Sequence, residues 1–301
     1  MAVADQPQAI QRFDARDFTH LSEDMKTAFD RDGILVLDGL VPGDMCNALK
    51  ARTMEMVEGF NADDHSSVFS SVSEAHASDE YFMSSGHTTR FFFEEGAFDS
   101  AGALTKPKEL ALNKIGHAMH DIDPVYDRFS RQPAFKEIAE GLGHQSPLLL
   151  QTMYIFKQPH IGGEVKCHQD STYLWTEPQT CLAFWVAIED ATLENGCLWG
   201  IPGGHKGHER PKERFKRSDE NPNKGAHEMI DPSPFDESGK VALEAPKGTV
   251  LVFNGLFPHL SAANTSDKSR HAYTLHLIDG AAHYPDNNWL QRPADMPLKG
   301  F

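Results

Sequence analysis

The chain has 301 residues, with 44 acidic and 28 basic side chains, so its formal charge is −16. Apolar residues make up 40% and charged residues 24%, which is typical of a soluble globular protein and excludes a disordered, collagenous or coiled-coil chain. The acidic balance argues against a general nucleic-acid binder or a binder of anionic membranes, because both need positive charge. No segment reaches the about 18 apolar residues of a membrane-spanning helix, and the N-terminus lacks the pattern of a secretory signal.

Four cysteines stand at positions 46, 167, 181 and 197, and no C-x-x-C pair occurs among them. So few cysteines in a chain of this length favour free thiols and a cytoplasmic location over a disulfide framework or a zinc site. The sixteen histidines are numerous enough to justify a search for the spacing of metal ligands.

The first half of the chain is predicted to be mainly helical. In chain order, the predicted elements are a helix over 22–33, a short β-rich run over 34–37, a helix over 42–59 and a helical region over 106–144. Ser22 is suited to cap the first of these helices, and Gly33 is suited to end it. Residues 61–89 are rich in Ser, Asp, His and Gly and lack periodicity, which predicts a long loop that can act as a lid.

After Pro147, short β-rich runs alternate with turn residues. The predicted strands cover residues 148–157, 173–175, 181–188, 197–201, 250–253 and 272–278, and a polar insertion interrupts them over 204–244. Regular short strands separated by Gly, Pro and Asn predict an antiparallel sandwich or barrel. Helices followed by strands predict one domain over 1–301, with helical support over about 1–145 and a β core over about 146–301.

The tripeptide His168-Gln169-Asp170 is the sharpest local feature of the sequence. If it lies in a strand, His168 and Asp170 point to the same side, because side chains alternate between the two faces. An imidazole nitrogen and a carboxylate oxygen aimed at one point are two ligands of the 2-His-1-carboxylate arrangement that holds ferrous iron. A His-x-Asp spacing also arises by chance in a chain this rich in both residues, so a surface salt bridge remains the alternative.

Two further residues downstream strengthen the metal hypothesis. His259 follows a predicted strand, and Arg270 comes eleven residues later. In the strand that Arg270 opens, Arg270 and Thr274 share one face, while the other face is mostly apolar and suits packing against helices. Arg270 therefore points into the barrel, where a buried guanidinium needs an anion. That anion is either the carboxylate of a ligand or one of the 44 acidic side chains.

These residues, in this order, are what a 2-oxoglutarate oxygenase requires. His168, Asp170 and His259 would hold Fe(II), and Arg270 would pair with the distal carboxylate of 2-oxoglutarate. The remaining positions on the metal would serve the co-substrate and dioxygen, and the reaction would release succinate and carbon dioxide. The hard chemistry then belongs to the metal and the co-substrate, and the protein supplies geometry and the exclusion of water.

The sequence resembles the phytanoyl-CoA dioxygenase (PhyH) family of Fe(II)/2-oxoglutarate oxygenases, and most closely its branch of phytanoyl-CoA dioxygenase domain-containing proteins. The segments that carry this resemblance are 31–50, 113–126, 151–178, 183–208 and 259–276. The resemblance implies a mainly β fold with flanking helices, whose core is a double-stranded β-helix, a jelly-roll barrel like that of the cupins. It also implies that His168, Asp170 and His259 are the iron ligands and that Arg270 anchors 2-oxoglutarate.

The same resemblance suggests further contacts with 2-oxoglutarate. They are Lys114 in the predicted helical region, Met153 on the strand before the metal motif, Trp185 as a wall of the pocket, and Ser261 two residues after His259. Alternatives remain for these positions, since Met153 and Trp185 suit a plain core and Lys114 suits an exposed helix. Asp170 favours hydroxylation, because related halogenases have a small residue in place of the carboxylate ligand.

The prediction is therefore an oxidoreductase that hydroxylates a small organic substrate, with Fe(II), 2-oxoglutarate and dioxygen, and without nucleic-acid or membrane partners. Two alternatives are a non-catalytic jelly roll that binds metal and 2-oxoglutarate, and a cupin-type metalloenzyme that does not use 2-oxoglutarate. Residues 205–217 carry six Lys or Arg side chains in this acidic chain. They suit either a basic rim for an anionic substrate such as a CoA thioester, or a solvated loop.

Overall fold

The computed structural model of the chain describes residues 9–64, 66–71 and 79–301. Its strands are β1 (Arg12–Asp14), β2 (Ile34–Asp38), β3 (Thr89–Phe93), β4 (Leu112–His117), β5 (Pro147–Ile155), β6 (Val165–His168), β7 (Leu182–Ala187), β8 (Leu198–Gly200), β9 (Glu213–Arg217), β10 (Gly225–Met229), β11 (Val241–Leu243), β12 (Val250–Asn254), β13 (His259–Ser261) and β14 (Ala272–Asp279). Its α-helices are α1 (Glu23–Asp32), α2 (Gly43–Gly59), α3 (Glu80–Met83), α4 (Met119–Ile122), α5 (Pro124–Ser130) and α6 (Pro133–Gly141).

Two β-sheets form the centre of the molecule. The larger sheet has eight strands in the order β1-β2-β12-β7-β14-β5-β4-β3, and the smaller has four in the order β11-β8-β13-β6. Neighbouring strands are antiparallel, except for the parallel pair β1 and β2. Strands distant in sequence lie side by side in both sheets, as expected for the predicted double-stranded β-helix, and the fold comparisons reported below confirm it.

The larger sheet is buried on both faces, and its strands alternate between them. On β14, Tyr273, Leu275 and Leu277 join the main hydrophobic cluster with residues of the helices, such as Phe135 of α6. On β7 and β12, alternate residues such as Trp185, Leu251 and Phe253 instead pack with residues of the smaller sheet. One face of the large sheet therefore carries the helices, and the other faces the interior of the barrel.

The first predicted helix has the expected boundaries. The hydroxyl of Ser22 accepts a hydrogen bond from the backbone N–H of Met25 at 3.2 Å, and Gly33 ends α1 with a φ of 77°. A left-handed residue at this position is typical of a helix end, and glycine adopts it without steric cost. The helix over 42–59 and most of the predicted strands after Pro147 also form close to their predicted bounds.

Two predictions of local structure were wrong. Residues 112–117 lie within the region predicted to be helical but form β4, whose two faces are both covered, so it shows no helical or alternating pattern. Residues 173–175 form no strand, because a 3-10 turn over Asp170–Thr172 redirects the chain. The first half of the chain also contributes β1 to β4 to the larger sheet. The division into support and core, and the single domain, stay predictions.

The polar insertion over 204–244 contains ordered structure. Strands β9 and β10 pair as an antiparallel hairpin, and β11 joins the edge of the smaller sheet beside β8. The predicted lid over 61–89 includes a 3-10 turn (Ala62–Asp64) and α3, while residues 65 and 72–78 lie outside the described part of the chain. All four cysteines are free thiols, as predicted. Among the described helices, none has the length and apolar character needed to cross a bilayer, and the cytoplasmic location stays a prediction.

Candidate metal centre

The smaller sheet brings the three predicted metal ligands together. His168 is the last residue of β6 and His259 the first of β13, and the two residues lie opposite each other in the antiparallel pair. Asp170 follows β6 and begins the 3-10 turn, with its Oδ1 atom 3.8 Å from His168 Nε2 and 3.7 Å from His259 Nε2. In the part of the chain that the structure describes, no other group of three His, Cys, Asp or Glu side chains is placed to share a metal ion.

The turn, rather than strand alternation, positions Asp170. Strand β6 ends at His168, so the argument that both side chains lie on one face of a strand was wrong, although the two side chains do converge. The backbone N–H of Ser171 donates to Gly255 O at 2.9 Å, and the Gln169 amide donates to Leu256 O at 2.7 Å. These bonds hold the turn against the loop that leads to His259.

Backbone carbonyls orient both imidazole rings. His168 Nδ1 lies 2.8 Å from Lys166 O, and His259 Nδ1 lies 3.1 Å from Phe257 O. A carbonyl oxygen only accepts hydrogen bonds, so each Nδ1 carries the proton and each Nε2 offers its lone pair to a metal. Burial lowers the pKa of His168 to about 4, which keeps this ring neutral and able to ligate at neutral pH.

A third histidine holds the carboxylate of Asp170 from the other side. His276, on β14 of the larger sheet, places Nε2 3.3 Å from Asp170 Oδ2. Burial alone would raise the pKa of Asp170, but the nearby His259 and His276 rings outweigh it and lower the pKa below its usual value. The carboxylate is therefore ionised, with Oδ1 directed to the two other ligands.

This donor set suits ferrous iron. Two neutral imidazole nitrogens and one carboxylate oxygen, all within 4.8 Å of one another, form one face of a coordination sphere. Such a triad leaves the opposite face open for exogenous ligands, whereas structural zinc sites are usually closed by four protein ligands. The arrangement is therefore that of a reactive centre rather than a structural one.

Arg270 lies in the same cavity, immediately before β14. Its side chain is buried, its Nε donates to Gly196 O at 3.2 Å, and it lies 5.4 Å from the centre of the Trp185 ring. Its Nη1 has no hydrogen-bond partner among the described residues, and none of their carboxylates forms a salt bridge with it. The buried guanidinium is thus presented to the cavity without a counter-charge in contact, which is the arrangement expected for an anion-binding site.

The four other predicted contacts line this cavity of about 330 Å³. Met153 and Trp185 face it from β5 and β7, and Ser261 faces it from β13. Lys114 was predicted on a helix but lies on β4, where it is buried with Nζ 3.0 Å from the centre of the Phe69 ring. Burial lowers the pKa of Lys114 well below its usual value, and Glu94 partly opposes this shift.

Several residues of the site were missed by sequence reasoning. Lys157 is buried beside Arg270, with its Nζ donating to Ser261 Oγ at 2.9 Å, and burial lowers its pKa to about 7. Glu94 is also buried, and its Oε1 lacks a partner among the described residues. Lys157 was open to prediction, because Gln151, Met153, Ile155 and Lys157 are alternate residues and all face the cavity.

Comparison with known sequences identifies the family. The phytanoyl-CoA dioxygenase (PhyH) family profile matches residues 29–272. A phytanoyl-CoA dioxygenase of Arabidopsis thaliana is 41% identical over 280 residues, covering 92% of this chain and 95% of the relative. Phytanoyl-CoA dioxygenase domain-containing protein 1 of Bos taurus is 40% identical over 285 residues, covering 92% of this chain and 97% of the relative.

Comparison with solved structures supports the fold. The epimerase SnoN in complex with Fe³⁺, alpha ketoglutarate and nogalamycin RO superposes with a TM-score of 0.59 and 15% identity, over 93% of this chain and 92% of that one. EctD from S. alaskensis with 2-oxoglutarate and 5-hydroxyectoine gives a TM-score of 0.57 and 20% identity, over 98% of this chain and 90% of that one. The double-stranded β-helix is thus confirmed, and the chain belongs to the phytanoyl-CoA dioxygenase family of 2-oxoglutarate-dependent dioxygenases, a membership that implies iron and 2-oxoglutarate as cofactor and co-substrate.

Proposed function

We propose that this protein hydroxylates a C–H bond of a small organic substrate, using Fe(II), 2-oxoglutarate and dioxygen and releasing succinate and carbon dioxide. One observation carries the proposal: a triad of metal ligands shares one cavity with a buried guanidinium that no carboxylate of the described residues contacts. The triad suits a metal ion and the guanidinium suits an anion. An iron oxygenase that uses 2-oxoglutarate requires both a metal site and an anion site.

His168, Asp170 and His259 are proposed to hold the iron. Bound iron supplies the activation of dioxygen, coupled to the oxidative decarboxylation of 2-oxoglutarate. The protein's own part is to present two Nε2 lone pairs and one carboxylate oxygen in a fixed arrangement. The carbonyls of Lys166 and Phe257 hold the two rings, and these supports belong to the same local segments as the ligands they orient.

Arg270 is proposed to bind the distal carboxylate of 2-oxoglutarate. Its planar guanidinium can donate two parallel hydrogen bonds to a carboxylate. Ser261 is held by Lys157 at 2.9 Å and offers a further hydroxyl, and Lys114 adds a second buried cation. Met153 and Trp185 form apolar walls that exclude water from the reacting atoms.

The presence of Asp170 favours hydroxylation over halogenation. It occupies the carboxylate position of the triad, where the related halogenases have a small residue. A carboxylate at this position leaves no coordination position for chloride beside the co-substrate and dioxygen. The proposal is therefore hydroxylation.

The test is turnover of 2-oxoglutarate to succinate by the full-length protein supplied with Fe(II) under air. We expect slow turnover without a primary substrate. Asp170→Ala should lower it by more than about 100-fold, beyond the 10–100-fold typical of losing a residue that only supports a ligand. Asp267→Ala is a matched control, because Asp267 is an exposed acid that pairs with His160 at the surface.

The alternatives give different results in the same assay. A non-catalytic binding module would show no succinate in metal-replete protein, and Asp170→Ala would change nothing in the turnover. A metalloenzyme that does not use 2-oxoglutarate would also form no succinate, and its activity on its own substrate would persist in Arg270→Ala. Either result contradicts the proposed function.

A further inference from the structure

The cavity has two ends with opposite charge. The inner end is the part lined by the buried side chains Arg270, Lys157, Lys114 and Glu94, three basic residues and one acidic residue. The mouth is the part lined by the exposed or half-buried side chains Glu95, Glu164, Lys166 and Glu213, three acids and one cation among the described residues. The inner end suits the dianionic co-substrate, so the mouth is the part that meets the primary substrate.

The basic segment 205–217 does not supply a basic rim. None of its six cations lines the cavity, and four of them are bound elsewhere. Lys212 pairs with Asp231, Lys216 with Asp219 and Glu228, Arg214 donates to Asn287 and Asn288, and Arg217 donates to the backbone of Met83, Pro222 and Trp289. Of all described residues in the insertion over 204–244, Glu213 alone lines the cavity. The segment that looks most basic in the sequence thus presents a carboxylate to the site.

Glu213 is held in place at the mouth. It begins β9, and His227, opposite Phe215 on the neighbouring strand β10, places Nδ1 3.3 Å from Glu213 Oε2. The contact with His227, together with the nearby His168 and Lys166, lowers the pKa of Glu213, so its carboxylate is charged at neutral pH. A carboxylate accepts several hydrogen bonds, so the contact with His227 leaves capacity for a ligand.

An aromatic wall lies beside this carboxylate. Phe82 and Trp289 stack with their ring centres 4.6 Å apart, and Tyr173 packs against Phe215 at 5.6 Å. Phe82, Tyr173, Leu174 and Trp289 all line the cavity. Apolar walls with one charged group are typical of a site that binds an apolar body and fixes its orientation through one polar end.

We propose that the primary substrate carries a protonated amine, which Glu213 binds at the mouth, and an apolar body that packs against the aromatic wall. This inference rests on the proposed function, because it names the substrate class of the same site. An ammonium donates charge-assisted hydrogen bonds to a carboxylate, while the phosphates of a CoA thioester would meet the three acids of the mouth. The structure therefore favours an amine over an acyl-CoA ester.

The test measures binding to the Ni(II)-substituted protein in the presence of 2-oxoglutarate, by titration calorimetry at neutral pH. Three probes share one apolar body and differ in the polar end: 4-phenylbutylamine, 4-phenylbutan-1-ol and 5-phenylpentanoate. We expect the amine to bind about tenfold tighter than the alcohol and tighter still than the carboxylate, as one charge-assisted hydrogen bond allows. Coenzyme A should bind more weakly than the amine.

Variants in the β9–β10 hairpin then test whether Glu213 causes the preference for the amine probe. Glu213→Gln should remove the advantage of the amine, Glu213→Asp should retain part of it, and Glu213→Lys should favour the carboxylate. Glu228→Gln is the matched control, because Glu228 lies on β10 of the same hairpin and pairs with Lys216 away from the cavity. Thermal unfolding of each variant shows whether the hairpin has folded.

Several results would overturn the inference. They are equal or tighter binding of the carboxylate or of coenzyme A by the unaltered protein, no binding of the amine, and an unchanged preference in folded Glu213→Gln. Nickel does not support turnover, so these measurements are independent of the reaction. Absence of succinate with intact amine binding would contradict the proposed function and leave this inference standing.

Discussion

The inner end and the mouth of the cavity are built in different ways. Arg270, Lys157 and Lys114 come from the central strands of the larger sheet or from the residues beside them, and all three are buried. Glu95, Glu164 and Glu213 come from a turn after β3, the residue before the edge strand β6, and the added hairpin. A rigid centre can hold one common co-substrate, while segments at the edge can differ between enzymes without disturbing the barrel.

The largest effect is expected at the inner end, from Arg270→Met. Losing one partner of a buried charge pair typically costs 2–5 kcal/mol, so we expect the Kd for 2-oxoglutarate to rise by at least about 30-fold. The temperature of unfolding without 2-oxoglutarate should stay the same or rise, because the variant removes a buried charge without a counter-charge in contact. Calorimetric titration and thermal unfolding measure the two quantities. A lower unfolding temperature with unchanged affinity would show that Arg270 is structural.

A smaller effect is expected from Lys157→Met, with a loss of about tenfold in affinity for 2-oxoglutarate.

Burial lowers the pKa of Lys157 from its usual 10.5 to about 7, so between these pH values the unfolded chain holds one more proton than the folded one. Stability of the ligand-free protein should therefore rise as the pH is raised through this window.

Binding of 2-oxoglutarate, a dianion, should raise the pKa of Lys157 again. Because 2-oxoglutarate favours the charged ammonium, its binding at pH 8 should take up a proton, and its affinity should fall as the pH rises above about 7. Titrations in two buffers with different heats of ionisation measure the proton uptake. Lys268→Met, at an exposed lysine, is the matched control and should retain the full uptake. Equal uptake in Lys157→Met would rule out this assignment.

The smallest effect on the site is expected from the basic residues of the insertion. Arg217 donates three hydrogen bonds to backbone carbonyls, so Arg217→Met should lower the free energy of unfolding by about 1–3 kcal/mol. The preference for the amine probe over the carboxylate probe should not change. Urea unfolding and calorimetry measure these two quantities, and the exposed Lys206→Met is the control. A changed preference in Arg217→Met would show that the basic segment does act on the substrate.

The geometry of the metal centre was open to prediction because its signal is local and chemical. His168 and Asp170 lie two residues apart, and His259 follows a strand. Arg270 lies two residues before β14 and in register with its inward face, while the other face of β14 is apolar. Strand β4 was not predictable by periodicity, because the helices cover one of its faces and the cavity lies at the other. Lys114 was therefore placed on the wrong kind of element.

Glu213 was missed for a different reason. Six cations dominate the composition of residues 205–217, and net charge says nothing about which side chain faces inward. Once β9 is known, alternation about the buried Phe215 places Glu213 and Arg217 on the inner face. The missing step was the prediction of a hairpin inside a polar insertion, where few apolar residues mark the strands.

The pairing of His168 with His259 has a mechanical consequence. Strand β6 has four residues and lies at the edge of the smaller sheet, where β13 is its one paired neighbour among the described strands. An ion bound to both histidines joins these two strands across the sheet, in addition to their backbone hydrogen bonds. A slip of one residue would turn one histidine away from the other, so the bound ion also selects a single register. Iron bound by His168 and His259 would thus link an edge strand of the barrel to its neighbour, and its binding free energy would become part of the stability of that edge.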